Sequence, residues 1–170
     1  MRRVFALPET HNKWVKVSED ILAGFHTAMS GELFAALQEN SILIPPESDP
    51  PHPGEAFDEG VRLALQHGGG NLMGILFAAR TRNASGSVPV RDAASFLSGL
   101  IVGADVAGAL PALEKSIEPI RLICSKAFHA ASVVHSNWQD SSRSSYPVVV
   151  APAGALRGRS APFSEAGGAP

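Results

Sequence analysis

The sequence holds one cysteine, Cys124, in 170 residues. That excludes an intrachain disulfide and any cysteine cage for zinc, and a reducing compartment fits such a chain best. Charge of one sign is also lacking. Lys and Arg number 14 against 16 Asp and Glu, for a net charge of −2, and the pI is about 6.3. Nucleic-acid binding would want a clustered basic face, and none is visible, so nucleic acid is not among the expected partners. A secretory signal is lacking as well: after Met1-Arg2-Arg3 only Val4–Leu7 is apolar before Pro8 and Glu9. The longest apolar stretch, Phe96–Leu113, is interrupted by Asp105 and Pro111 and reads as a buried helix rather than a membrane span. No membrane partner is expected, and the chain reads as cytoplasmic.

Metal-ligand spacing is absent too. The histidines (His11, His26, His52, His67, His129 and His135) include no His-x-x-x-His pair, and no Ser/His/Asp or Cys/His triad follows from their spacing. Gly68-Gly69-Gly70 comes after a helical pattern rather than between a strand and a helix, so it reads as a linker, not a phosphate loop.

What is present is a globular composition. Hydrophobic residues make up 45% and charged residues 18%, enough to bury a core in one domain's length. Val4–Leu7 reads as a strand, and Lys13–Val17 and Ile21–Thr27 as a β-hairpin around the polar turn Ser18-Glu19-Asp20. Ser30 stands at an N-cap position before a helix with Leu33, Phe34 and Leu37 on its apolar face. Pro45–Gly54, with five prolines, is a loop. Helical spacing returns over Glu55–His67, and again after Asn71 through Leu72, Ile75, Leu76 and Ala79 to Arg80 and Arg82. Asp92 or Ser95 opens a long helix rich in small residues, Ile120–Cys124 is a short strand, and Ser125 could cap a last helix.

After about Ala131 the pattern stops. Of the last 40 residues, 23 are Ser, Ala, Pro or Gly, and no period persists beyond Val148-Val149-Val150. A largely disordered tail is predicted over 131–170. The element order before it is that of an α/β or α+β fold.

Three segments could carry chemistry. Pro8-Glu9-Thr10-His11-Asn12-Lys13-Trp14 is a turn that can offer backbone N–H groups, a hydroxyl and an ammonium to a phosphate. Met29-Ser30-Gly31-Glu32-Leu33-Phe34 opens a helix whose N–H groups suit an anion, although Glu32 opposes that unless it meets a sugar hydroxyl or a metal. Phe96–Asp105 carries Gly99 and Gly103 four residues apart, on one helical face that something approaches closely. Each has an ordinary alternative: a hairpin turn with a surface lysine, a capped helix, and a helix-packing face. Asp105, a carboxylate in an apolar helix, would cap or pair, with Arg80 and Arg82 the nearest cations by topology.

Together these segments carry a family pattern. Leu7-Pro8, Thr10-His11 and Lys13-Trp14-Val15 are followed by Phe25, Thr27, Met29 and Gly31-Glu32-Leu33, then by Phe96–Ile101 and Gly103. Asn40-Ser41-Ile42-Leu43 and Leu76-Phe77 with Arg80 fit the same order. From about Val4 to His129 the chain resembles the C-terminal part of the 2-dehydro-3-deoxygalactonokinase family of sugar-acid kinases. The resemblance implies an α/β fold, part of the C-terminal lobe of a hexokinase–actin-like kinase. Residues 1–130 would form that partial lobe and 131–170 an unrelated low-order tail.

The resemblance also implies ATP and Mg2+ as cofactors, and transfer of the γ-phosphoryl group to the terminal hydroxyl of 2-dehydro-3-deoxy-D-galactonate. Thr10, His11 and Lys13 are then the phosphate-binding residues, with Glu32 and Arg80 as substrate or lobe-closure contacts. The family's Asp-x-Gly-Ser/Thr hairpin does not occur in this sequence, nor does its nucleotide-side Gly-Asp-x-Ala-x-x-Gly stretch. Glu9 stands where the family usually has glycine. The catalytic base is expected outside this chain, which is expected to be inactive alone and to self-associate or to meet a separate N-terminal lobe. A truncated remnant with a frameshifted or replaced end, or a sugar-acid-binding module, are the other readings.

Overall fold

The computed structural model describes residues 2–67, 71–109, 120–124 and 148–152. Three strands come first: β1 (Arg2–Leu7), β2 (Asn12–Ser18) and β3 (Ile21–Ala28). They form an antiparallel meander, with Leu7 opposite Lys13 and Ser18 opposite Ile21. The second of those pairings leaves a two-residue turn, and Glu19 and Asp20 both take positive φ, 52° and 65°. That is the geometry whose twist suits a tight hairpin. Arg3 on β1 hydrogen-bonds to Asp20 and fastens the turn to the sheet. An irregularity between Lys16 and Val17, opposite Gly24 and Leu22, leaves Ala23 as the extra residue of a bulge.

Two more strands, β4 (Ile120–Cys124) and β5 (Val148–Pro152), extend the sheet in the order β3-β2-β1-β4-β5. β4 runs parallel to β1, and β5 parallel to β4. β5 adds an edge strand at the Val148-Val149-Val150 run, within the stretch expected to be largely disordered. Its three valines are a short β-branched run flanked by Pro147 and Pro152, too brief to show a period, and only pairing with β4 gives them a partner. The helix expected after Ser125 and the linker Gly68-Gly69-Gly70 lie outside the described residues.

Between β3 and β4 the chain is helical: α1 (Ser30–Asn40), α2 (Glu55–Gln66), α3 (Leu72–Leu76), α4 (Ala78–Ala84) and α5 (Ala93–Ala109), the last entered through a 3-10 turn at Val90–Asp92. α5 is the centre of the core. Phe96, Leu97 and Leu100 have no exposed surface, and Ala64, Ile75, Leu76, Ala79 and Val88 pack around them. The apolar 20-residue stretch Val90–Ala109 is long enough to cross a membrane by composition, but two-thirds of it is buried inside the fold. Its apolar character therefore has an explanation in packing.

α2 and α5 touch backbone to backbone. A Cβ on Gly99 would stand 2.1 Å from the Phe57 carbonyl oxygen, and one on Gly60 2.3 Å from that of Phe96. The small-residue face of α5 is thus a packing face, as its ordinary alternative had it.

One helix expectation changes. The single helix after Asn71 is two, broken at Phe77. Gly74 weakens the first of them, and each short piece buries its own residues against the core, Ile75 and Leu76 from α3 and Ala79 from α4. The long helix runs from Ala93, so Asp92 immediately precedes it, and Ser95, the other candidate, lies inside it. Its Ala94 N–H is capped from the proline-rich loop by Ser48 Oγ at 3.0 Å, which satisfies one of the donors a helix start leaves over.

Candidate functional site

The turn between β1 and β2 is held from three directions. Within the turn, the Glu9 N–H donates to Asn12 Oδ1 at 2.9 Å. From α1, the N–H groups of Gly31 and Glu32 both donate to the Thr10 carbonyl, at 3.1 and 3.2 Å. From α5, Asp105 receives Asn12 Nδ2 at 2.7 Å and Trp14 Nε1 at 3.0 Å. Ser30 Oγ donates to the same carboxylate at 2.9 Å. Turn, strand, helix start and core helix therefore meet at one part-buried edge.

This arrangement corrects two sequence expectations. Ser30 is the first residue of α1, not its cap, and its hydroxyl goes to Asp105 instead of to the helix. Asp105 pairs with neither Arg80 nor Arg82; its described partners are three neutral donors. Arg82 instead bonds Glu59 and lies 5.6 Å from the centre of the Phe96 ring. The physical reason is position along α5. Phe96 and Asp105 are nine residues apart, about 13 Å of helix, so a cation beside one cannot reach the other.

The start of α1 also differs from a free anion site, because Thr10's carbonyl already takes the N–H groups of Gly31 and Glu32. Glycine is needed at position 31 for this. A Cβ there would sit 2.8 Å from Thr10 Cα and 2.9 Å from its oxygen, closer than real side chains come.

Braced in this way, the turn points its chemistry outward. Thr10, His11 and Lys13 are all exposed. Lys13 Nζ donates to the His11 carbonyl at 3.2 Å, so an ammonium with three donors keeps two for another acceptor. Glu32 Oε2 accepts from His11 Nε2 at 2.6 Å, with both side chains about half exposed. The structure thus gathers Thr10, His11, Lys13 and Glu32 at one place. Arg80 is exposed on α4, the helix whose Arg82 reaches the Phe96 end of α5, and it does not join them.

A second constellation needs a different reading. An open cleft of about 490 Å³ is lined by His52, Glu55, Arg91, Asp92 and Ser95. His52 Nδ1 lies 3.1 Å from Ser95 Oγ, and His52 Nε2 lies 3.5 Å from Asp92 Oδ1. The combination suggests a nucleophilic triad, but Ser95 is 1% exposed and a nucleophile must reach its substrate. Ser95 Oγ accepts the His52 backbone N–H at 3.0 Å. These contacts strap the proline-rich loop to the start of α5.

The sequence and the fold are matched by known proteins. The family model described as 2-keto-3-deoxy-galactonokinase matches residues 1–138. The chain belongs to that family. The 2-dehydro-3-deoxygalactonokinase of Escherichia coli (strain K12) is 32% identical over 107 residues, 61% of this chain and 35% of the relative. The Rhizobium meliloti (strain 1021) protein named "Probable 2-dehydro-3-deoxygalactonokinase DgoK1" is 32% identical over 106 residues, with the same coverages of 61% and 35%. A crystal structure of a Sinorhizobium meliloti protein assigned to the same kinase superposes with a TM-score of 0.75 at 26% identity. That superposition covers 89% of this chain and 49% of the other. The chain thus spans about a third of the length of its curated galactonokinase relatives and half of the structural one. The fold is α/β, that of part of a galactonokinase C-terminal lobe.

Asn12, Gly31 and Asp105 lie in the segments that sequence reasoning singled out, but their contacts with one another's elements were not foreseen. Asp105 did carry a signal, a lone carboxylate in an apolar helix, but nothing in the sequence named Asn12, Trp14 and Ser30 as its partners.

Proposed function

We propose that this chain supplies the phosphate-contacting C-terminal lobe of a 2-dehydro-3-deoxygalactonokinase acting in D-galactonate catabolism. The reaction would break the bond between the ATP γ-phosphorus and its bridging oxygen. It would form a bond from that phosphorus to the terminal hydroxyl oxygen of 2-dehydro-3-deoxy-D-galactonate, whose proton leaves to a base. The observation that carries this reading is the braced, outward-facing turn Glu9–Lys13 in a chain of this family.

In such chemistry the protein works by positioning and by neutralising charge. Lys13 contributes an ammonium and Thr10 a hydroxyl donor toward the phosphate oxygens, beside His11, whose Nε2 is engaged by Glu32. Glu32, held against His11, can accept from a hydroxyl of the sugar acid. Arg80 stands apart from this cluster, which leaves it a lobe-closure contact. The residues fit the phosphate end of ATP. Magnesium would travel on the nucleotide phosphates and supply further charge neutralisation; among the described residues no group of three His, Cys, Asp or Glu side chains is arranged to hold a metal ion.

On this reading the base and the remaining phosphate contacts come from outside this chain. The chain is then inactive by itself and turns over substrate only with an N-terminal lobe, in the cytoplasm. The test is ATP turnover with 2-dehydro-3-deoxy-D-galactonate, on the purified chain and on the chain mixed with the N-terminal portion of the Escherichia coli relative. Turnover is expected in the mixture and absent from the chain alone. Substrate binding without turnover in the mixture would instead indicate a sugar-acid-binding module, and neither binding nor turnover a non-catalytic remnant.

A further inference from the structure

The phosphate turn is made of side chains that act outward and a scaffold that does not, and the scaffold converges on one atom pair. Asp105 Oδ2 accepts from Asn12 Nδ2 at 2.7 Å and from Ser30 Oγ at 2.9 Å, while Oδ1 accepts from Trp14 Nε1 at 3.0 Å. The Asn12 amide is used at both ends. Its nitrogen goes to Asp105, and its oxygen takes the Glu9 N–H at 2.9 Å. A continuous path therefore runs from the core helix through one side chain to the first half of the turn.

We infer that Asp105 is the positioning residue of the phosphate turn, acting through Asn12 to fix the loop from which Thr10, His11 and Lys13 project. The inference rests on the proposed role of that turn. Asp105 does not touch phosphate itself, since its oxygens are committed to the three donors. Its chemistry explains why a carboxylate stands there. Three donors converge on two oxygens, and a carboxylate accepts on both of them, whereas an amide offers one acceptor oxygen and an NH2 group that would face a donor. The amide orientation of Asn12 follows as well: with its nitrogen fixed by Asp105, only its oxygen can face the Glu9 N–H. The 93-residue separation of Asn12 and Asp105 makes this a contact of the folded lobe and not of the turn alone.

The alternative is that Asp105 merely stabilises the fold and the turn holds its shape without it. Amide hydrogen exchange at Glu9 separates the two, because that N–H reports the Asn12 brace locally. In Asp105→Asn, Glu9 is expected to lose protection by about tenfold, the size expected for a lost hydrogen bond to a charged group. Core amides of α5 around Leu100 should change far less. The reciprocal exchange Asn12→Asp with Asp105→Asn rebuilds the amide–carboxylate pair in reverse. The carboxylate, now on the turn, would then accept from both the amide on α5 and the Glu9 N–H, and Glu9 should regain its protection. Ser30→Ala removes one donor but leaves Asn12 in place, and should keep Glu9 protected.

Equal Glu9 protection in the wild type and Asp105→Asn would overturn the inference, as would a folded reciprocal variant in which Glu9 stays unprotected. If Asp105→Asn fails to fold, the reciprocal variant decides the matter. A parallel titration with MgATP, read at the amides of Thr10, His11 and Lys13, keeps the two proposals apart. No response from the wild type would defeat the phosphate role of the turn and leave the Glu9 result standing. A response that needs about tenfold more MgATP in Asp105→Asn supports both.

Discussion

At position 31 a hydrogen atom decides the shape of the site. Two N–H groups of α1 reach the Thr10 carbonyl only because nothing projects from Gly31 into the 2.8 Å gap. Gly31→Ala should push the turn off the helix. The expected cost is about 1–3 kcal/mol, the usual range for overpacking a filled site, measured by denaturant unfolding, together with weaker phosphate binding. A variant as stable as the wild type with unchanged binding would show that the turn is not held this way. The turn that carries Thr10, His11 and Lys13 was legible in the sequence because its spacing carries the family pattern. Its supports were not legible. A hydrogen bond between residues 91 or 93 positions apart, such as those from Trp14 and Asn12 to Asp105, leaves no local trace, whereas Arg80 and Arg82 stand closer along the chain.

Among the elements, those with a clean period were read directly. The meander β1–β3, the helices α1, α2 and α5, and the strand β4 all lie where alternation and helical spacing put them. The break between α3 and α4 was hidden because the apolar spacing from Leu72 to Ala79 passes through Phe77 without interruption. β5 was hidden because its three valines stand in a stretch otherwise rich in Ser, Ala, Pro and Gly. The α2–α5 contact gives the sharpest prediction at this scale. Gly99→Ala drives a methyl into the Phe57 carbonyl, and should cost about 3 kcal/mol in an unfolding experiment. Gly108→Ala, on the same helix with open space around it, should be neutral or raise stability by up to about 1 kcal/mol through helix propensity. Equal effects of the two would mean that the helices do not approach as closely as described.

β3 is an edge strand of eight residues with no proline, lysine, arginine or carboxylate. Ile21, Leu22 and Phe25 are 70%, 60% and 69% exposed. Edges in monomeric proteins are usually blunted by lysine or proline, and this one is not. Self-association that rises with concentration is therefore expected in sedimentation velocity. Phe25→Lys should shift the protein toward monomer, and an unchanged sedimentation profile would remove β3 from consideration.

For the whole molecule, the mixed sheet and its strand order did not follow from periodicity, which is blind to whether two strands run parallel. The family resemblance implied the α/β lobe to which such a sheet belongs. The chain spans half of its structural relative, and the proposed reading gives it one phosphate-contacting turn of a kinase. Such a lobe should bind nucleotide weakly by itself, through charge and hydroxyl donors on a preorganised turn, and should gain affinity when a second lobe closes on it. The measurement that tests this most directly is isothermal titration of the chain with MgATP, comparing the wild type with Lys13→Ala. Measurable wild-type binding that weakens by about tenfold, the value of one charge-assisted contact, is the predicted result. Wild-type binding that Lys13→Ala leaves untouched, or none at all, would contradict the account of the Thr10–Lys13 turn as a phosphate site.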